Sequence, residues 1–435
     1  MTPFRVTAWR IADWEGHMKL SQDDEPLQGA PFGTGRIQRR RGSSFHSKSF
    51  AQWLLPLDVV DELEAATMPK VEAWMATKKT ASNCTLENAV VRQEWSDLTV
   101  PQREEYIKAV LCLQKLPPRA PKDKFPGALS RFDDFVGFHM TEAMMLHDPY
   151  HLFASHKYFI WAYETALRDE CGYTGYQPYM NYDRYAQDPV NSPMFNGNAS
   201  SMGGQGLPSE YPGVAQPYKK PNDWIRPGGG GGCVTEGPFK DMVVSLGPKG
   251  HVLTDVPKNP QSDGLGSNPR CLRRDVNRNS ALGATANYTY STIMDNKDVD
   301  AFYNRYLGMP PLVNDTHPWG LHNAGHYMFG GDPGGDFFAS PGDPAFYFHH
   351  GMLDRVWWIW QMQDPENRIN AIPTGGMAMP PHQLREEIAA HGPYKRAEDP
   401  KDVIVDLGWI APAIPLLELT DQLGGNKGQF CYIYV

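Results

Sequence analysis

The 435-residue sequence lacks several features that would each point to a particular class of protein. It has no apolar run of the roughly 18 to 20 residues that a membrane span requires, so we expect no membrane anchor. Its 41 lysines and arginines are outnumbered by 50 aspartates and glutamates, and only residues 36–41, RIQRRR, form a basic run. Since phosphate binding needs a clustered basic surface, this balance argues against nucleic acid as a main partner.

Cysteine is scarce and shows no paired spacing. No CxxC motif occurs, which argues against zinc ribbons and redox dithiols. An even number of cysteines suits the disulfides of an exported protein, so we expect an extracellular location, although the first twenty residues contain no apolar segment of the kind found in a secretory signal. Six cysteines allow 15 pairings, and their spacing assigns none of them. The six are Cys84, Cys112, Cys171, Cys233, Cys271 and Cys431.

Helical periodicity is present in several segments, separated by a long irregular one. Residues 188–270 are dense in glycine and proline and include five consecutive glycines from Gly228 to Gly232, so we expect surface loops there. Residues 1–80 are predicted to be an N-terminal extension outside the core, disordered or removed by processing. The predicted helices cover residues 56–79, 87–116 with a break at Pro101, 127–146, 156–171, a stretch around His322, and 349–363.

Histidine is concentrated in two windows of the chain. Nine of the 14 histidines lie within residues 139–156 and 317–350, far more than an even distribution would place there. His322 and His326 are four positions apart, so on a helix their rings point the same way from successive turns and can hold one metal ion. The nine are His139, His147, His151, His156, His317, His322, His326, His349 and His350.

The ligands available in these windows are nearly all imidazole nitrogens. No cysteine lies in either window, and most of the carboxylates there are in turns. Such a donor set suits copper or zinc better than calcium, magnesium or an iron–sulfur cluster. Three histidines from each window, carried by two antiparallel helix pairs, would give each ion three nitrogens and an open position. Two such sites facing each other could hold dioxygen between them.

Three segments resemble signatures of the type-3 dicopper proteins, which include tyrosinases, catechol oxidases and haemocyanins, and especially those of the short fungal polyphenol oxidases. SHKYFIWAYETALRDECGY, residues 155–173, is similar to the first-copper signature, and SPGDPAFYFHHGMLDRVWWIWQ, residues 340–361, is similar to the second. The closing CYIYV resembles the YxY element of the family's catalytic domain. The resemblance implies a mainly α fold, in which a four-helix bundle with long Gly/Pro-rich loops surrounds two copper ions, over residues 81–435.

The resemblance also implies two sets of three copper ligands. The nine-residue step between the family's second and third ligands selects His147 over His151 in the first set. Because neighbours on a helix point about 100° apart, only one of His349 and His350 is expected to face the second ion, and family precedent selects His350. His349 and His317 are then expected to support the ligands indirectly or to lie at the surface. The implied ligands are His139, His147 and His156 for the first copper and His322, His326 and His350 for the second.

Three further residues correspond to family positions near the dicopper centre. Phe346, one turn before His350, matches an aromatic ring placed above the first copper. Asn323, directly after His322, matches an asparagine that, together with an upstream glutamate, is thought to hold a water for deprotonating monophenols. The upstream stretch LVNDTHPWG has no glutamate, and Asp315 is its only acid. The machinery for monophenol hydroxylation is therefore incomplete.

Two other positions bear on how the ligands are held. Position 145 is methionine, whereas many relatives have a cysteine there that is crosslinked to the second ligand, so His147 must be held by packing and hydrogen bonds alone. Asp354 stands one turn after His350, where it could orient a ligand ring or pair with Arg355. We expect Arg355 to be a structural anchor.

The function implied by the resemblance is the copper-dependent oxidation of a small phenolic substrate by dioxygen. Because the copper motifs are intact and the monophenol machinery is not, an oxidase of o-diphenols or o-aminophenols is the first expectation. A tyrosinase with both activities is the second. A dioxygen carrier similar to haemocyanin, or a copper-free structural relative, is the alternative from another class, but no covering domain is visible to support it. The sequence leaves the oligomeric state open.

Overall fold

A computed structural model describes residues 58–78, 83–215, 224–250, 253, 255–309 and 319–435; the basic run at 36–41, together with Asp315 and His317, lies outside them. In chain order, the α-helices span Val59–Thr77 (α1), Val100–Leu113 (α2), Arg131–Thr141 (α3), Ala143–Leu146 (α4), Leu152–Cys171 (α5), Tyr182–Tyr185 (α6), Arg278–Ala281 (α7), Ala286–Met294 (α8), Val299–Leu307 (α9), Gly320–Phe329 (α10), Ala345–Met362 (α11), Pro365–Arg368 (α12) and Pro381–His391 (α13). Within these ranges, no helix has both the length and the apolar character needed to cross a bilayer.

The strands are short and form two-stranded pairs. In chain order they span Val90–Arg92 (β1), Gly206–Pro208 (β2), Val214–Ala215 (β3), Trp224–Ile225 (β4), Gly231–Val234 (β5), Val243–Val244 (β6), Arg270–Cys271 (β7), Ile404–Val405 (β8), Ile414–Pro415 (β9) and Tyr432–Tyr434 (β10). β1 pairs with β10 in parallel, with Val90 opposite Tyr432. The other pairs, β2 with β5, β3 with β4, β6 with β7 and β8 with β9, are antiparallel.

Helix α11 lies at the centre of the molecule, because every residue from Ala345 to Met362 is buried. A helix that is buried on all faces belongs to the interior of a large core. It contacts α5 and α10, and on other sides it contacts α1 and α8. The predicted mainly α architecture is confirmed. Helices α3 and α5 carry histidines of the first window, and α10 and α11 carry histidines of the second.

Local signals explain where the helices of the first window begin and end. At the start of α3, the Ser130 hydroxyl accepts from the Asp133 backbone N–H, and the Asp133 carboxylate accepts from the Ser130 N–H at 2.9 Å. Gly172, with φ of 70°, ends α5 in the left-handed region that favours glycine. The predicted helix 127–146 is two helices, since the backbone leaves helical geometry at Glu142. α5 begins at Leu152, one turn earlier than predicted.

Helix α1 is part of the core. Val60 is fully buried, and Arg355 of α11 lies between Asp61, at 2.7 Å, and Glu64. The prediction that residues up to 80 lie outside the core is therefore wrong for this helix, because α11 meets both its apolar and its acidic side chains. Arg355 is the structural anchor that the sequence predicted.

The segment before Pro101 was predicted to be helical, but it is not. Its residues Val90–Arg92 form β1, and Trp95–Asp97 form a single 3-10 turn. Pro101 stands in the first turn of α2, where a backbone N–H is not needed for the helix. This proline therefore begins a helix and does not break one.

The glycine- and proline-rich stretch is irregular, as predicted. In the described part of residues 188–270 the regular structure consists of short strands. One of three disulfides, Cys233–Cys271, joins β5, which lies in this stretch, to β7, which lies at its end. The others are Cys112–Cys171, which ties α2 to α5, and Cys84–Cys431, which ties the segment before β1 to the residue before β10.

Candidate metal centre

Three histidines of the first window form a compact group, which we call cluster A: His139, His147 and His156. One ring nitrogen of each lies within 4.8 Å of one nitrogen of each of the others. His139 is near the end of α3, His147 follows α4, and His156 is in the second turn of α5. All three rings are buried, and the distances between their centroids are 5.2 to 5.9 Å.

The backbone fixes the tautomer of each ring in cluster A. The Nδ1 atoms of His139, His147 and His156 lie 2.7, 2.8 and 2.8 Å from the carbonyl oxygens of Phe338, Ala143 and Leu152. Because a carbonyl oxygen can only accept, each Nδ1 carries the hydrogen and donates it. The lone pair is then on Nε2, which is the arrangement of a histidine prepared to bind a metal.

Cluster B is formed by four histidines: His322 and His326 of α10, and His349 and His350 of α11. The ring centroids of His322 and His326 are 4.7 Å apart, which confirms that they share one face of a helix. The Nε2 atoms of His326 and His350 are 3.3 Å apart. Two nitrogens that bind one ion at about 2.0 Å, with a tetrahedral angle between them, are roughly 3.3 Å apart.

The residues of both clusters fit a metal ion that accepts nitrogen ligands. The Nε2 atoms of His139, His156 and His322 are buried and have no hydrogen-bond partner in the described structure. Such atoms cost free energy unless a ligand meets them. Since all the clustered donors are imidazoles, the sites suit copper or zinc.

The two clusters lie side by side. The rings of His156, from cluster A, and His350, from cluster B, are stacked at 4.4 Å with 9° between their planes. The rings of His147 and His322 are 6.2 Å apart. Two ions held by these clusters would therefore be close neighbours.

Burial keeps the clustered rings neutral. Loss of solvation lowers the pKa of His139 to about 4 and the pKa of His322 to about 3. The pKa values of His147 and His350 are also well below the ordinary value, first because of burial and then because other histidines are close. A neutral imidazole has the free lone pair that a metal needs.

Two phenylalanines line the space beside the histidines. The Phe346 ring lies 4.2 Å from His350, 5.5 Å from His139 and 5.7 Å from His326, so it contacts both clusters and not only the first. Phe337, which the sequence did not single out, is 4.3 Å from His147. No motif marks Phe337, because its position follows from the loop before α11.

The side chain of Asn323 forms hydrogen bonds with backbone carbonyls of the protein. Its amide group donates to the carbonyl oxygens of Leu307 and Trp319, each at 2.9 Å. Both amide hydrogens are therefore directed to carbonyls, which leaves Oδ1 as the hydrogen-bonding group that these two bonds do not use. Asp315, the other predicted partner for a water, lies outside the described residues.

Two further histidines of the windows, His151 and His349, have different surroundings. His151 is outside cluster A, and its Nε2 lies 3.0 Å from the hydroxyl of Tyr394. His349 is fully buried, so the expectation that it could be a surface residue is wrong. Its ring reaches cluster B because side-chain length compensates for the 100° between neighbours on a helix.

Comparisons with known proteins agree with this geometry. The tyrosinase family model, described as the common central domain of tyrosinase, matches residues 129–363. The tyrosinase-like protein orsC of Emericella nidulans is 40% identical over 303 residues, which cover 66% of this chain and 78% of that protein. Tyrosinase P of Aspergillus terreus is 34% identical over 350 residues, 79% of this chain and 91% of that protein. A solved structure of a polyphenol oxidase mutant from Thermothelomyces thermophila is 36% identical, covers 86% of this chain and 97% of its own, and has a TM-score of 0.73.

Proposed function

Because this chain belongs to the tyrosinase family of copper oxidoreductases, we propose that it oxidises o-diphenols or o-aminophenols with dioxygen. Membership of this family supports copper-dependent phenol oxidation in general, whereas the choice of substrate is our proposal. For an o-diphenol, two molecules each lose two electrons and two protons to one dioxygen, and two o-quinones and two waters form.

In this proposal, His139, His147 and His156 would hold one copper, and His322, His326 and His350 would hold the other. When bound, a copper pair supplies a two-electron couple between the phenol and dioxygen. The observation that carries the proposal is the parallel stack of His156 on His350, which places one imidazole of each cluster in contact. Sites so close can act on one substrate together.

The chain's own residues prepare the site in two ways. The carbonyls of Phe338, Ala143 and Leu152 hold the cluster A rings in the tautomer that presents Nε2. Phe337, which is only partly buried beside His147, offers an apolar face against which an aromatic substrate would stack, whereas the fully buried Phe346 packs against rings of both clusters.

The lack of a glutamate just upstream of Asn323 supports diphenols over monophenols. An o-diphenol needs only oxidation, whereas a monophenol must also be deprotonated and hydroxylated. Asn323 commits both amide hydrogens to Leu307 and Trp319, so only its Oδ1 could hold a water that acts as the base, and no glutamate just upstream is there to hold that water from the other side. A tyrosinase with both activities is the second candidate, which the similarity to tyrosinase P favours.

The assay is oxygen uptake and quinone absorbance with catechol, 2-aminophenol and L-tyrosine, using copper-loaded protein and a His350→Gln control. We expect rapid turnover of catechol or 2-aminophenol, little of L-tyrosine, and loss of turnover in the control. Comparable turnover of L-tyrosine would establish the tyrosinase alternative. Reversible oxygen binding without turnover would make the protein a carrier, and failure to bind copper would overturn the proposal.

We also propose an extracellular location. Three disulfides are typical of an oxidising compartment. Mass spectrometry of protein from culture medium and from cell extract, without reduction, would test this.

A further inference from the structure

His147 differs from the other two histidines of cluster A in the structure that supports it. His139 lies within α3 and His156 within α5, so the turns of a long helix hold both residues. His147 instead follows α4, a helix of only four residues, and position 145 has no cysteine that could crosslink its ring. A helix this short is not stable by itself. The position of His147 therefore depends on contacts from other parts of the chain.

One such contact comes from the backbone of Ala378, which lies between α12 and α13. Its N–H donates to the carbonyl oxygen of His147 at 2.8 Å. This bond holds the backbone of His147 itself. It does not hold the turn that follows, which leads from His147 to the start of α5.

The turn is held through Asp148, the residue after His147. The Asp148 carboxylate is almost fully buried, and the Nε atom of Arg396 donates to its two oxygens at 2.8 and 3.1 Å. One of these oxygens also accepts from the N–H of Tyr150 at 3.0 Å, and the Arg396 guanidinium lies 4.8 Å from the Tyr150 ring. Because a buried carboxylate without a cation is costly, Arg396 stabilises this turn by charge as well as by packing.

Arg396 is itself attached to another part of the molecule. Its Nη1 donates to the carbonyl oxygen of Thr374 at 3.4 Å. Thr374 in turn donates its N–H and its hydroxyl to the carboxylate of Asp300, at 2.6 and 2.8 Å. The segment from Thr374 to Arg396 is thus fixed to α9 at one end and contacts the His147 turn at two points.

We propose that Arg396 is a positioning residue for His147, and that it acts through Asp148 to retain the ion of cluster A. This inference rests on the copper centre proposed above and adds a support for one of its ligands. Arg396 lies beyond residues 129–363, which the tyrosinase family model matches. One ligand of the shared central domain is therefore held in place from outside that domain.

The test measures the loss of copper from the copper-loaded full chain to an excess of EDTA. Arg396→Met keeps most of the aliphatic chain but removes the charge, and we expect the copper of cluster A to leave about tenfold faster than in the wild type. The copper of cluster B should leave at the wild-type rate. Anomalous scattering at the copper edge, from crystals of partly depleted protein, identifies the cluster that has lost its ion.

A second variant tests the same pair from the other side. Asp148→Asn keeps the shape of the side chain and its bond with Tyr150 but removes the charge that Arg396 meets. It should accelerate loss of the same copper, so the inference does not depend on the folding of a single variant.

The matched controls are Arg396→Lys and Tyr394→Phe. A single nitrogen of Arg396 reaches Asp148, so a lysine, which keeps the charge, should restore most of the copper retention. Tyr394→Phe alters the same segment but removes a hydroxyl that lies 3.0 Å from Nε2 of His151. It should keep the wild-type rates for both coppers.

Wild-type retention of both coppers in Arg396→Met and in Asp148→Asn would overturn the inference. Equal acceleration in Tyr394→Phe would also overturn it, because the whole segment and not the ion pair would then hold the turn. Both outcomes leave the proposed function standing. If the wild-type protein binds no copper, it is the proposed function that fails.

Discussion

Tyr434 donates its hydroxyl to Asp354 at 2.7 Å, so β10 bonds directly to the helix that carries His350. Tyr432 donates to the same carboxylate oxygen at 2.7 Å, and Lys157, next to His156, lies 3.4 Å from the other oxygen. Asp354 therefore neither orients a ligand ring nor pairs with Arg355, the two roles that its spacing suggested. It joins α5, α11 and β10 behind the metal centre.

Tyr434→Phe should destabilise the protein by about 2 kcal/mol, because a hydrogen bond to a charged group is lost in the interior. The control is Tyr158→Phe, whose hydroxyl donates to the neutral carbonyl of Pro412 at 2.8 Å and should contribute about 1 kcal/mol. Urea unfolding of the copper-free proteins measures both. Equal losses in the two variants would show that the charge of Asp354 does not matter.

Replacing Arg355 should test whether α1 belongs to the folded unit. Arg355→Ala leaves the buried carboxylate of Glu64 without its cation and leaves Asp61 with Arg184 alone, at 3.3 Å, and we expect a loss of about 3–5 kcal/mol in unfolding free energy. A chain that starts at residue 81 should be strongly destabilised relative to one that starts at residue 58. Wild-type stability in the shorter chain would restore the boundary predicted from the sequence.

The copper-free protein should lose stability as the pH falls below about 6.5. The folded pKa of His139 is about 4, lower than the ordinary value near 6.5, so in this interval the unfolded chain binds more protons than the folded one. Stability is complete above the unfolded pKa and falls by up to about 1.4 kcal/mol per pH unit for each such histidine.

Thermal unfolding at pH 7.5, 6 and 5 measures this effect. His139→Gln should make the dependence shallower, and bound copper should protect the protein until protons displace it. A melting temperature that is constant from pH 7.5 to 5 would contradict the prediction.

Variants of His147 and His151 test which of these two histidines is the third ligand of cluster A. His147→Gln should remove one copper and reduce catechol turnover by at least about a hundredfold, since a ligand is lost. His151→Gln should keep both coppers and most of the activity, because its ring bonds Tyr394 outside the cluster. Copper analysis with kcat measurements gives the answer, and the reverse pattern would show that His151 is the ligand.

The parts of the site that the sequence predicted well are those encoded within one or two helical turns. The four-residue step from His322 to His326 and the signature around His350 depend on local geometry, and both place the residues in one cluster. The burial of His349 could not be predicted in this way. It depends on Gly325 of α10, whose lack of a side chain leaves room for the His349 ring.

Features that join distant parts of the chain were also beyond the sequence. The partners of Cys84 and of Arg355 are 347 and 294 positions away, and no local pattern relates them. Phe337 reaches His147 through the path of a loop. The extent of α1 was predicted from periodicity, but its place in the core depends on an arginine that only the fold brings near.

The parallel pairing of Val90 with Tyr432, and the Cys84–Cys431 bond beside it, have a consequence for biosynthesis. A polypeptide emerges from the ribosome beginning at its amino end, so α11 is made well before the tyrosines that bond its aspartate. Contacts of such long sequence separation form late and slowly. The packing of α11 against these tyrosines must therefore wait until β10 has been synthesised.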